Sequence, residues 1–189
     1  MNIQIGIQGS KGSTTERACV FFTELLGIMH YETQHLISTE NVLHALNKNE
    51  IDYGVFAWES SRAGLVQETQ EAIKKYAFVK ITEQDFQIDH ALLTNAHIDN
   101  TQTVHVYSHP QALKEHFNFL LSEFADIKLV DEVDTAVAAK RLSEHQYPKN
   151  SVVIAPIACG RIYGLDVYHD NLPFNQGYFT KIYFVKKGW

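Results

Sequence analysis

The sequence is short of cysteine and proline and has no cluster of basic residues. Two cysteines, Cys19 and Cys159, among 189 residues exclude a disulfide framework and a cysteine-based zinc site, and they suit a reducing cytoplasm. Sixteen Lys and Arg against 22 Asp and Glu leave a net charge of −6. A nucleic-acid partner is therefore not expected, because nothing basic is concentrated to hold a phosphate backbone. No apolar run approaches the ~18 residues of a membrane helix and no signal peptide is visible, so we expect a cytoplasmic protein with no membrane partner.

What the sequence does contain is an alternation of strand and helix patterns along its whole length. Three isoleucines within residues 3–7 alternate with polar residues as in a strand, and apolar residues within 18–26 recur at helical spacing. We place the cap of that helix at Thr14 or Thr15 and its end at Gly27. Further strands are predicted at 31–36, 53–58, 77–81, 89–94, 103–107, 127–130, 151–155, 165–169 and 179–185, and further helices from Ser38 or Thr39, over 64–76, from Pro110, from Val133 and in a turn that ends at Gly164. This alternation predicts an α/β fold with mainly parallel sheets, in which ligands meet loops at the carboxyl ends of strands.

The first such loop, Gly9–Glu16, has the composition of an anion cradle. A strand, a glycine-rich turn and a helix start follow one another, so free amide groups and the helix dipole favour negative charge there. Because Lys11, Gly12 and Ser13 stand in the wrong order for a P-loop, a nucleotide is not expected. A carboxylate can use the same amides, and an ordinary capped turn is the alternative.

Two further loops carry polar side chains after a predicted strand. In the first, Ser60, Ser61 and Arg62 can meet a ligand, although a serine that merely caps the next helix is the alternative. In the second, Ser108 is the expected helix cap and His109 follows it. No nucleophile elbow is present. The ten histidines show no metal-ligand spacing, so no metal is expected.

The last predicted strand places Thr180 and Ile182 on one face and Lys181 and Tyr183 on the other. A threonine in a strand usually reflects β-propensity alone, and the spacing does not single it out.

Taken together, these segments resemble the prephenate dehydratase domain. Their order along the chain is that of the family's motifs, and they extend over almost the whole sequence. The matching segments are Gly9–Glu16, Asp52–Gly64, Ser108–Leu113, Asp134–Ala139, Tyr163–Leu165 and Thr180–Ile182.

The resemblance implies a two-lobed fold like that of type II periplasmic binding proteins, with the active site in the cleft between the lobes. Lobe 1 would take residues 1–76 plus 170–189, and lobe 2 would take 77–169. The implied activity is that of a carbon–oxygen lyase of phenylalanine biosynthesis, which converts prephenate to phenylpyruvate with loss of carbon dioxide and water. It implies a small dicarboxylate as substrate, no cofactor and a homodimer. It also implies a stand-alone catalytic domain, since the regulatory ACT domain of many members does not follow.

Carried over position by position, the resemblance also assigns site residues. The catalytic residues would be Thr180, Lys181 and Ser61, with the threonine helping the hydroxyl group to leave. The substrate-binding residues would be Gly12, Ser13, Thr14, Glu59, Ser60, Arg62, Ser108, His109, Gln111 and Tyr178.

Several polar positions depart from the family pattern. Ser60 replaces an asparagine, Lys181 an arginine, Ile182 a phenylalanine, and Tyr178 an asparagine two residues before the threonine. A lysine keeps the charge but loses the planar fork that matches a carboxylate. Two alternatives follow: a decarboxylase that does not aromatise prephenate, and a binding module that has lost the chemistry. The presence of Thr180 favours dehydration.

Overall fold

The computed structural model describes residues 2–170 and 172–188, including every side chain in these ranges except that of Phe174. Two compact units divide the chain: the first runs up to Gln87 and resumes at Tyr178, and the second is Ile88–Gly177. The elements in chain order are β1 (Ile3–Ile7), α1 (Thr14–Leu25), β2 (Tyr31–His35), α2 (Thr39–Asn47), β3 (Tyr53–Ser60), β4 (Gly64–Leu65), α3 (Gln67–Ile73), β5 (Phe78–Gln87), β6 (His90–Thr94), β7 (Val104–Ser108), α4 (Pro110–Glu123), β8 (Ile127–Asp131), α5 (Thr135–Ser143), β9 (Ser151–Pro156), α6 (Ala158–Tyr163), β10 (Asp166–His169), a 3-10 turn (Pro173–Asn175) and β11 (Phe179–Lys187).

The bounds of these units differ from those of the predicted lobes, 1–76 plus 170–189 and 77–169. Strand β5 pairs along its length with β11, so it belongs to the first unit. Within the described residues, no helix has both the length and the apolar character to cross a membrane.

The sheet of the first unit has the strand order β2-β1-β3-β11-β5, with β4 paired to β3. Its β2, β1 and β3 are parallel, because α1 and α2 each act as a crossover between them. In contrast, β11 is antiparallel to both β3 and β5. The second sheet has the order β10-β6-β9-β7-β8.

The prediction of mainly parallel sheets is wrong. Of the nine strand pairings among the described residues, four are parallel. The reason is connectivity: β5, β6, β10 and β11 enter their sheets without a helical crossover from the strand beside them, so nothing requires a parallel direction.

The two faces of the first sheet bury separate cores. On the α1 side lie Phe22, Ile182 and Phe184, and on the α2 side lie Phe56 and Val185. Alternate residues of β11 therefore point to opposite faces, as the sequence predicts. This alternation decides which side chains of the last strand can share a site.

Two predicted helix starts need correction. The cap of α1 is Ser13, whose Oγ accepts from the Glu16 amide at 3.2 Å, rather than Thr14 or Thr15. The segment 64–76 is only partly helical, because Gly64 pairs with Ser60 in a hairpin before α3 begins.

Candidate active site

The glycine loop before α1 is closed by its own hydrogen bonds. Gly9 and Gly12 both have φ of 90°, a conformation that favours glycine. The Gly9 amide donates to the Ile37 carbonyl at 3.0 Å, and the Gly12 amide donates to Oε2 of Glu16 at 2.7 Å. The predicted anion cradle is therefore occupied at Gly12 by a carboxylate of the chain itself.

Glu16 also connects this loop to β2. Its Oε1 lies 2.9 Å from Nε2 of His35, while the neighbouring hydroxyls of Ser13 and Thr15 lie 2.9 Å apart. Burial, with a smaller contribution from Glu16, raises the pKa of the Cys19 thiol to about 12. Cys19 is thus a buried neutral side chain and not a nucleophile.

A row of side chains crosses the end of the first sheet, from β5 through β11 to β3. Thr180 is paired in register with Phe86 on one side and with Ser60 on the other. Residues directly opposite in antiparallel strands have side chains on the same face. Because Ile182 lies in the α1-side core, alternation places Thr180 on that face too. Phe86, Thr180 and Ser60 therefore form one row, and Thr180 is half-buried within it.

The Ser60 end of the row is held by a compact turn. The Ser60 hydroxyl accepts from the amides of Arg62 and Ala63 at 3.3 and 3.2 Å and donates to the Tyr178 hydroxyl at 3.5 Å. The guanidinium carbon of Arg62 lies 5.5 Å from the centre of the Tyr178 ring. The structure thus brings together three predicted binding residues: Ser60, Arg62 and Tyr178. Ser60 caps this turn and not the helix that follows it.

Ser61 links the same turn to the start of β11. Its amide donates to the Phe179 carbonyl at 3.0 Å, and its Oγ accepts from the Phe179 amide at 3.1 Å. This two-way connection positions Phe179 and hence the neighbouring Thr180. The predicted catalytic role of Ser61 stays a prediction.

Lys181 lies on the opposite face from Thr180, as the sequence predicts. Its Nζ is 3.9 Å from Oε2 of Glu59, and it is paired in register with Asp85 of β5. The pKa of Glu83 lies below its usual value mainly because Lys80 donates a hydrogen bond to it, and the charge of Lys181 contributes. The Lys181 ammonium thus lies on a face with acidic neighbours, and the carboxylate of Glu59 is within ion-pair distance of it.

Arg17, which the sequence analysis does not single out, lies at the Phe86 end of the row. Its guanidinium carbon is 5.9 Å from the centre of the Phe86 ring, and its Nη2 donates to the Gln87 carbonyl at 2.5 Å. The side chain is exposed. The signal for it in the sequence is weak, namely a cation in the second turn of a helix.

In the second unit, the predicted binding residues are engaged in local structure. Ser108 is fully buried, and its hydroxyl donates to the Ile154 carbonyl at 2.7 Å. The cap of α4 is therefore His109, whose Nδ1 accepts from the Gln111 amide at 3.2 Å, and not Ser108. The Gln111 side chain donates to Glu115 at 2.7 Å. Their roles in substrate binding stay predictions.

Two buried histidines lie in the same unit. Nδ1 of His90 is 3.3 Å from Nε2 of His116, and both side chains are almost fully buried. Burial lowers the pKa of His90 to about 3, with contributions from His116 and then His109. The uncharged His90 and its partner His116 therefore form a hydrogen-bonded element of the core.

Throughout residues 2–170 and 172–188, no group of three or more His, Cys, Asp and Glu side chains is placed to hold a metal ion. An open depression of about 820 Å³ lies elsewhere on the second unit, lined by His97, Asp99, His105 and Lys149 among others, and includes none of the predicted site residues.

Comparison with known proteins identifies the same family that the sequence motifs resemble. The family model described as prephenate dehydratase matches residues 5–188. A bifunctional chorismate mutase/prephenate dehydratase from Buchnera aphidicola subsp. Acyrthosiphon pisum is 26% identical over 179 residues, which are 95% of this chain and 46% of the relative. The chain thus spans about half the length of that curated relative.

Solved structures share the fold. Prephenate dehydratase from Arthrobacter aurescens, solved in complex with L-Phe, has a TM-score of 0.82 at 18% identity, covering 99% of this chain and 60% of that one. A periplasmic substrate-binding protein of an ABC transporter from Coxiella burnetii has a TM-score of 0.55 at 15% identity, covering 96% and 84%. The predicted α/β fold class, similar to periplasmic binding proteins, is confirmed. With the family model matched from residue 5 to residue 188, the chain belongs to the prephenate dehydratase family.

Proposed function

We propose that this chain converts prephenate to phenylpyruvate, carbon dioxide and water. The observation that carries the proposal is the row at the end of the first sheet, in which Thr180 stands between Ser60 and Phe86. Membership of the prephenate dehydratase family supports it. The activity belongs to the carbon–oxygen lyases.

The reaction requires little covalent chemistry from the protein. The bond between the ring and its carboxylate breaks to release carbon dioxide, and that electron pair forms a ring double bond. The bond between the ring and its hydroxyl group breaks, and the leaving hydroxide takes up one proton to become water. Placing a proton donor at the leaving oxygen and holding both carboxylates of the dianion is sufficient, through positioning and electrostatics.

We assign the donor role to Thr180. Its hydroxyl would hydrogen-bond to the leaving oxygen, so that negative charge does not develop there unassisted. Ser60, Arg62 and Tyr178 would hold the substrate beside it. Ser61 would act by fixing Phe179, and thereby the position of Thr180 in the row.

The glycine loop would contribute less than the sequence suggests. A substrate carboxylate at the Gly12 amide competes with Glu16, which already accepts from that amide at 2.7 Å. Ser13 and Thr14 remain proposed contacts of this loop, and Glu59 a proposed contact on the other face. For the assembly, we propose a cytoplasmic homodimer, and the two buried cysteines, neither of which is in a disulfide, suit a reducing compartment.

The test is incubation of the purified chain with prephenate, following phenylpyruvate by absorbance and carbon dioxide release in parallel. Formation of both products in equal amounts is expected. Carbon dioxide without phenylpyruvate would identify a decarboxylase that does not aromatise its substrate. Binding of prephenate with neither product would identify a binding module.

A further inference from the structure

A dianionic substrate needs cations on the face that carries Thr180. In the family pattern an arginine follows the threonine, and here Lys181 occupies that position. Lys181 points to the other face, where Glu59 and Asp85 are its neighbours across the strands and the charge of Glu83 also acts on it. Lys181 therefore lies on the opposite face from Thr180, among acidic neighbours that are unfavourable for a second anion.

Arg17 supplies a cation on the correct face. Its guanidinium contacts the Phe86 ring and the Gln87 carbonyl, and these two residues are the register partners of Thr180 and Phe179. The guanidinium therefore lies over the strand next to the β11 segment that carries Thr180. The side chain is exposed, which leaves it accessible to a substrate.

A second guanidinium lies at the other end of the row. Arg62 is packed over the Tyr178 ring, and Tyr178 contacts Ser60. From Phe86 to Ser60 the row crosses two strand spacings, roughly 10 Å. Two cations thus flank the row, as the two carboxylates of a dianionic substrate require.

The position of Arg17 in its helix is a further argument. It lies one turn from the start of α1, where a positive charge is unfavourable for the helix dipole. Residues that break such a local rule concentrate at functional sites. A guanidinium at this position matches a carboxylate in a planar, two-bonded geometry that a lysine does not provide.

We infer that Arg17 is a substrate-binding residue that holds one carboxylate of the dicarboxylate substrate, with Arg62 holding the other. The inference rests on the proposed function, since it names the groups that hold the substrate of the same site. It replaces Lys181 by Arg17 as the cation that serves the Thr180 face.

The experiment measures prephenate affinity by calorimetry, and kcat and KM by phenylpyruvate formation, for four variants. Arg17→Gln removes the charge, and Arg17→Lys keeps the charge but loses the planar, two-bonded geometry of the guanidinium. Lys181→Gln tests the competing assignment. Lys75→Gln is the control, because Lys75 is an exposed cation of the same unit that pairs with Glu40.

We expect Arg17→Gln to raise Kd and KM by about 10- to 100-fold, the loss of a charged hydrogen bond to the substrate, with a smaller change in kcat. Arg17→Lys should lie between the parent and Arg17→Gln. Lys181→Gln should weaken binding less than Arg17→Gln does, and Lys75→Gln should match the parent. Thermal melting of each variant shows whether it is folded, and a purely structural role of Arg17 would not produce the ordered loss of affinity.

The outcomes separate the two proposals. If the parent forms phenylpyruvate and Arg17→Gln binds prephenate within twofold of it, the inference about Arg17 is wrong and the proposed function stands. If the parent binds prephenate through Arg17 but forms no phenylpyruvate, the proposed function is wrong and the inference stands. A parent that neither binds nor converts prephenate contradicts both, and a larger loss in Lys181→Gln than in Arg17→Gln returns the assignment to Lys181.

Discussion

Thr180 in the first unit and Ser108 in the second are both hydroxyl residues at a strand end, and the structure uses them differently. Thr180 is half-buried in a row whose two ends lie near exposed arginines, Arg17 at Phe86 and Arg62 at Tyr178. Ser108 is fully buried and its hydroxyl donates to a carbonyl of the neighbouring strand β9. The same sequence signal thus gives a partly accessible hydroxyl, the proposed proton donor, in one unit and a buried stabilising hydrogen bond in the other, and burial of the hydroxyl makes the difference.

The largest effect that distinguishes these two hydroxyls is expected from Thr180→Val. Valine keeps the branched shape and removes the hydroxyl, so the strand should be little disturbed. Loss of a proton donor lowers rates by about 10²- to 10⁴-fold, and we expect kcat for prephenate to fall within that range while the melting temperature stays close to that of the parent. Parent-like turnover in this variant would remove Thr180 from the mechanism.

The next largest effect is expected from the buried histidines of the second unit. The folded-state pKa of His90 is lowered to about 3, against ~6.5 when unfolded. The unfolded chain therefore takes up the proton first as the pH falls. The stability contribution is complete above about pH 6.5 and is lost towards pH 3, by about 1.4 kcal/mol per pH unit.

Urea unfolding at pH 7, 6, 5 and 4 measures this slope. His90→Gln removes the titrating group, so its unfolding free energy should fall less steeply with decreasing pH than that of the parent. Equal slopes for the two proteins would show that His90 is protonated as readily in the folded state as in the unfolded chain.

A smaller effect on stability is expected from Ser108→Ala. This change leaves the buried Ile154 carbonyl without its donor at 2.7 Å, and such a loss costs about 1–3 kcal/mol. We expect the urea midpoint to fall while the KM for prephenate stays within about threefold. A large rise in KM with unchanged stability would instead support the substrate-binding role that the sequence predicts for Ser108.

The smallest effect is expected from Tyr178→Phe, which tests the Ser60 end of the row that contains Thr180. It removes the acceptor of the Ser60 hydroxyl at 3.5 Å and keeps the ring under Arg62. A single hydrogen bond is worth about 0.5–1.5 kcal/mol, so kcat/KM should fall by roughly 2- to 10-fold. A loss as large as that of Thr180→Val would give Tyr178 the donor role.

Local signals in the sequence predict much of the secondary structure and the motif positions. The expected strands at 31–36 and 151–155 are confirmed as β2 and β9, and Pro110 does begin α4. The opposite orientation of Thr180 and Lys181 also follows from the sequence, because strand geometry alternates side chains whatever the partner strands are. These features depend on residues within a few positions of one another.

The composition of the site was decided by tertiary structure. Ser60 and Tyr178 are 118 positions apart, and Arg17 reaches the Gln87 carbonyl across 70. Strand register also places Phe86, Thr180 and Ser60 in one row. Motifs and periodicity describe the chain only locally, whereas register and helix docking are chosen by burial of the whole core. For that reason the sequence by itself determined that Thr180 and Lys181 face opposite ways, and only the fold decided that Arg17 packs on Phe86, the register partner of Thr180, while Lys181 lies near Glu59.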